Sequence, residues 1–181
     1  MGRDVAYTEA ERRQMDADQH DPRWLAWLAD MDAGLARFFT ETAPGMPDDP
    51  WSAQGLRQAE ARALELFPSR EAVGLPENRD AADGFHRYLG EVFRRAFEGR
   101  WYNVPDEDDT QRTRGFGPVV EMPFASMYLT VITQLTSAMS RRTGREWARV
   151  FGYQAEDYQA WQEAGRPPLE KWEQIRDAEF M

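Results

Sequence analysis

A chain of 181 residues, 41% hydrophobic and 13% aromatic, is long enough to bury one substantial core and short for more than one domain. It contains no cysteine, which excludes disulfides, thiolate catalysis and cysteine-ligated zinc or iron–sulfur centres. A formal charge of -10 and a mean hydropathy of -0.76 disfavour nucleic acid and anionic membrane as partners, because phosphate repels an acidic surface.

No apolar run approaches the ~20 residues of a membrane span, and Met1 to Asp21 carries no apolar stretch of the signal-peptide kind. The expected location is cytoplasmic. Residues 1–19 read as a polar N-terminal arm, with Thr8 and Glu11 spaced as a capping box at the start of a marginal helix. Residues 20–181 read as a single globular domain.

Asp21-Pro22 places an N-cap residue before a proline at the first helical position. Trp24, Leu28, Met31, Leu35 and Phe38 then recur at helical spacing, which predicts one helix to about Thr42, before the breaker-rich Ala43 to Pro47. Asp49-Pro50 repeats the start signal. Leu56, Ala59, Ala63, Leu66 and Phe67 line one face of the helix that follows, and Pro68 stops it. Ser69 is placed to cap a short turn through Val73.

The clearest amphipathic helix covers residues 79–98, capped by Asn78 or Asp80. At roughly 100° per residue, Ala82, Phe85, Tyr88, Leu89, Val92, Phe93, Ala96 and Phe97 share one half. Arg87, Glu91, Arg94, Arg95 and Glu98 share the other and read as an ion-paired solvent face. So wide an apolar face needs several covering elements, which makes this the central helix. Gly99 is expected at the left-handed closing position.

Arg100–Val104 and Phe116–Met122 read as strands of a small hairpin, about 100–122, with Pro118 suggesting an edge or irregular position. Residues 124–142 read as an apolar helix, although the β-branched run Thr130, Val131, Ile132, Thr133 leaves a strand open for 124–133. Trp147, Val150 and Phe151 suggest a short element, and Ala155–Glu163 and Pro168–Asp177 two short helices. The predicted class is α+β and predominantly α-helical: helices packed around residues 79–98 with one β-hairpin.

Candidate chemistry is sparse. Asp83 and His86, one helical turn apart, form the only acid-x-x-His pair on the central helix, a spacing that can hold a metal. His86 falls on the apolar flank, so a packed, hydrogen-bonded histidine is expected there instead of a ligand. Asp106, Glu107, Asp108 and Asp109 lack the alternating ligands and the position-six glycine of a calcium loop, since Gln111 stands there. They read as a solvated loop or an acidic contact surface. No G-x-S-x-G, P-loop or Rossmann pattern is present, and two histidines make a catalytic triad improbable. No catalytic residue, metal or cofactor is therefore expected.

Tyr88, Leu89, Gly90 and Glu91, followed by Gly99 and Trp101, a hairpin with Val119-Val120, and Pro123-Phe124, form a pattern that resembles a group of bacterial domains of unknown function. The resemblance covers about a quarter of the chain and implies an architecture more than an activity. Similar small acidic domains occur among toxin-immunity and other interaction proteins. The leading expectation is a non-catalytic protein–protein interaction module with a basic protein partner. A small hydrolase with unidentified acids, and a homo-oligomer sealing apolar surface around Trp161 and Trp172, are the competing classes.

Overall fold

The computed structural model describes residues 7–105 and 115–179. It is an α+β protein, mostly helical, in which the described residues form eight α-helices and a three-stranded antiparallel sheet. The acidic run Asp106–Asp109 lies outside the described residues.

Helix α1 (Glu9–Gln19) starts at Thr8, whose hydroxyl accepts from the Glu11 N–H while the Glu11 carboxylate accepts from the Thr8 N–H, the reciprocal cap its sequence predicts. The single helix expected for 22–42 is instead three pieces: α2 (Pro22–Ala29), α3 (Met31–Arg37) and a π-helical turn, Phe38–Thr42. The break falls at Asp30, whose carboxylate accepts from Arg37 Nη2 at 2.7 Å. The π turn closes with the Ala43 N–H donating to the Phe38 carbonyl at 2.8 Å. Its extra residue lets Phe38 stack on Tyr88 at 4.9 Å and meet Phe85 edge-on at 5.1 Å.

Helix α4 (Ala53–Leu66) begins later than Asp49-Pro50 suggests. Ser52 is its N-cap, accepting from the Gly55 N–H, while Asp49 turns the chain by accepting from the Trp51 N–H. Two short 3-10 turns, Glu71–Gly74 and Pro76–Asn78, lead into α5 (Arg79–Ala96). Ser69 caps the first through the Ala72 N–H.

Helix α5 is the centre of the fold. Phe85, Tyr88, Leu89, Val92 and Phe93 are fully buried, with α3 and the π turn on one flank, α6 on another, and the sheet across its C-terminal half. Its predicted polar face is solvent only in part: Arg95 and Glu98 are exposed, whereas Arg87 and Glu91 are each 3% exposed, covered by α2, α3 and Trp101. The helix closes at Glu98, which takes the left-handed conformation (φ 54°) expected of Gly99. The Gly99 N–H then reaches back to the Arg94 carbonyl at 3.0 Å, a Schellman closure. Gly99 is small for another reason, since a Cβ there would lie 2.7 Å from Val120 Cγ1.

Strand β1 (Arg100–Asn103) pairs with β2 (Pro118–Glu121) from Arg100 opposite Glu121 to Asn103 opposite Pro118. Strand β2 also pairs with a two-residue β3 (Leu129–Thr130), so Pro118 opens the central strand and not an edge. A proline fits there because the first position needs no ladder N–H. The ambiguity over 124–133 resolves residue by residue: 129–130 is strand, and α6 (Val131–Arg141) follows at once. Helix α7 (Glu146–Glu163) is one continuous element where two short ones were expected, with Gly152 inside it. Helix α8 (Leu169–Glu179) ends the described chain. Trp161 and Trp172 are 6% and 3% exposed, so the apolar surface assigned to a homo-oligomer contact is covered within the chain itself.

Candidate functional site

The predicted pair, Asp83 and His86, lies on the first half of α5, but the two side chains serve different surroundings. Asp83 Oδ1 accepts from Trp27 Nε1 at 2.7 Å and its Oδ2 from Arg87 Nε at 2.7 Å. Arg87 also donates through Nη1 to the Trp27 carbonyl at 2.9 Å, and its guanidinium lies 4.5 Å above the Trp27 ring. Asp30 Oδ2, 3.5 Å from Arg87 Nη2, completes the group. The guanidinium lies so close to α3 that a Cβ on Gly34 would stand 2.6 Å from Arg87 Cδ. This is a buried polar staple between α2–α3 and α5, satisfied on both carboxylate oxygens. In that arrangement each Asp83 oxygen is committed to a partner in the staple and not to His86.

His86, half-buried, lines a cleft of about 250 Å³ shared with Arg70, Leu75, Arg79 and Phe116. A second cleft of about 350 Å³ opens on the other flank of Asp83, between the π turn and α5, and includes Glu41, Arg62 and Asp80. Among the described residues no group of three or more histidine, aspartate or glutamate side chains is placed to hold a metal ion.

The buried carboxylates are the residues that sequence reasoning missed. Glu60, on α4 and fully buried, accepts from the Glu146 and Trp147 N–H groups at 3.1 and 2.8 Å. It thereby caps α7, whose own N-cap residue, Arg145, supplies no side-chain bond. Burial pushes its carboxyl up, against the pull of those N–H groups. Glu91 accepts from Arg94 Nε at 2.6 Å, Arg95 Nε at 3.0 Å and Trp101 Nε1 at 2.8 Å. Burial raises its carboxyl, but the bonds from Arg94, Trp101 and Arg95 outweigh it and hold the group below its ordinary value. Glu121 pairs with Arg100, and Glu146 with Arg141 and Arg149. Helical spacing marks Arg94 and Arg95 for Glu91 and Arg149 for Glu146, but not the partners that other elements bring: Trp101 for Glu91, Arg100 for Glu121, Arg141 for Glu146 and the α7 backbone for Glu60.

The motif Tyr88 to Trp101 has a structural reading throughout. Tyr88 Oη donates to the Pro50 carbonyl at 2.7 Å, and burial, with the nearby Asp49 charge, pushes its phenol well above the ordinary range. A Cβ on Gly90 would lie 1.8 Å from Trp101 Cη2, so the indole occupies the space that glycine leaves. Glu91 then receives the indole N–H. Comparison with protein-family models, curated proteins and solved structures returns no match.

Proposed function

We propose that this chain is a non-catalytic, cytoplasmic protein–protein interaction module that receives a basic protein partner on an acidic surface, in the manner of immunity proteins. The observation that carries this reading is the fate of the buried acids. Glu60, Glu91, Glu121 and Glu146 are each bound to backbone N–H groups or arginines, and Asp83 is held on both oxygens. The net charge of -10 is therefore displayed by the outer acids, such as those of Tyr153 to Asp177, where six acidic residues face three basic ones. Such a surface speeds encounter with a basic partner and makes the complex salt-sensitive. Asp106, Glu107, Asp108 and Asp109 are four further carboxylates of the acidic chain.

The test is reconstitution. A basic protein recovered with the tagged chain is purified, remixed and titrated at rising ionic strength. A stoichiometric complex is expected, with an association rate that falls with salt and falls again when Asp106–Asp109 are changed to asparagine. A tight complex indifferent to both would overturn the acidic-surface reading. The cleft beside His86 is where a small hydrolase would pair an acid with a histidine. Ester or phosphoester hydrolysis by the purified chain, abolished in both Asp83→Asn and His86→Ala, would replace the interaction reading with that one.

A further inference from the structure

The cleft on the His86 flank of α5 holds two arginines whose charges are unspent. Arg70 precedes the first 3-10 turn and Arg79 opens α5, and both reach the same cleft of about 250 Å³. Neither side chain makes an ion pair or hydrogen bond among the described residues, whereas the arginines elsewhere around α5 do: Arg37 with Asp30, Arg87 with Asp83, Arg94 and Arg95 with Glu91. Two acids share the cleft, but Asp83 accepts from Trp27 and Arg87, and Glu71 has an interaction of its own.

The backbone that presents the two arginines is fixed. The Val73 N–H donates to the Arg70 carbonyl, the Leu75 N–H to Ala72, and the Asn78 N–H to Leu75. Asn78 Nδ2 ties the two turns together by donating to the Ala72 carbonyl at 2.8 Å. The cleft that both arginines line also includes apolar side chains, Val73, Leu75, Phe116 and Ile132 among them. Leu75 stays 44% exposed. The volume, about 250 Å³, falls just below the range of drug-sized ligand pockets, about 300 to 1,000 Å³, and so suits a small ligand.

We propose that this cleft binds a small oxyanion ligand, a carboxylate or phosphate group on a short apolar body, with Arg70 and Arg79 clamping the anion. Guanidinium suits the role because its planar fork donates in pairs to carboxylate and phosphate oxygens. A large polyanion would be repelled by the protein's net charge, while a small ligand meets mainly the groups of the cleft, where Asp83 is already paired with Arg87. This site is independent of the acidic surface and stands or falls separately from it.

The experiment is titration of the full chain with benzoate, phenyl phosphate and the neutral benzyl alcohol, followed by calorimetry and by amide chemical shifts. Saturable binding of benzoate or phenyl phosphate is expected, with shifts centred on Leu75, His86 and Ile132, and the stronger of the two identifies the head group. Benzyl alcohol should bind far more weakly. Arg70→Ala and Arg79→Ala should each weaken the anion about tenfold with unchanged thermal midpoints, since neither side chain holds the fold. Arg57→Ala, an exposed arginine on α4 outside the cleft, should bind as the parent does. The proposal fails if neither anion binds saturably at millimolar concentration. It fails equally if binding survives both arginine substitutions, or if benzyl alcohol binds as well as the anions.

Discussion

Two helical glycines show how far one residue's meaning depends on what stands opposite it. Gly90 on α5 and Gly152 on α7 are both helical, and both would gain helix propensity as alanine, by about 0.5–1 kcal/mol. A Cβ at Gly152 meets nothing within 4 Å, whereas one at Gly90 lands 1.8 Å from the Trp101 indole. Gly152→Ala should therefore raise the unfolding midpoint slightly. Gly90→Ala should lower stability by about 1–3 kcal/mol as the indole is driven from its seat, about 2–4 °C per kcal/mol for a chain of this size. Thermal unfolding of the two variants beside the parent checks both signs, and a neutral Gly90→Ala would mean that Trp101 has room to swing away. Asp83 teaches the same lesson. Its spacing to His86 suggested shared chemistry, yet the acid turns to Trp27 and Arg87 while the histidine lines a cleft.

Helix α1 illustrates how an element is held when its own faces offer no core. Its eleven residues include none that is buried, and isolated helices shorter than about 12–15 residues are marginal in water. Hydrogen bonds dock it on β1: Gln19 Nε2 donates to the Asn103 carbonyl, the Asn103 N–H donates back to Gln19 Oε1, and Asn103 Nδ2 donates to the Asp18 carbonyl, each at 2.8 Å. Gln19→Ala removes two of these. Amide exchange across residues 9–19 should then quicken by about tenfold or more, while α5 keeps its protection. Unchanged exchange in α1 would show that other contacts hold it. The break at Asp30 works the opposite way. The hydrophobic steps from Trp24 to Phe38 are continuous, and only the polar staple to Arg87 and the seat of Phe38 against α5 impose separate helices and a π turn.

At the level of the whole molecule, the buried acids give stability a pH dependence with two opposing parts. Glu91 is held below its ordinary 4.5, so the folded state binds its proton less readily than the unfolded one. Its contribution is present above that value and is lost as the pH falls through the lowered value. Glu60 is raised above 4.5 by burial, so its contribution is present below that value and fades as the pH rises through the folded one. Unfolding followed across pH should show Glu91→Gln destabilised by about 1–3 kcal/mol near neutrality and flatter than the parent on the acid limb. Glu60→Gln should gain on the parent as the pH climbs above 4.5. A Glu91→Gln curve parallel to the parent at low pH would mean that this carboxylate does not drive acid unfolding.

The helical α+β class, the central helix that starts at Arg79, the capping box at Thr8 and a hairpin with strands inside 100–104 and 116–122 were all legible in the chain alone. These rest on local periodicity, caps and turn residues, which neighbours in the chain suffice to specify. Only the packed molecule shows which charges of α5 are buried, that Glu60 caps α7 and Glu91 receives Trp101, why Gly90 must be glycine, and that Arg70 and Arg79 line one cleft. Each of those depends on contacts between different elements, which no single element's pattern encodes. A helical wheel shows which side a residue faces, but not whether water or another element stands there.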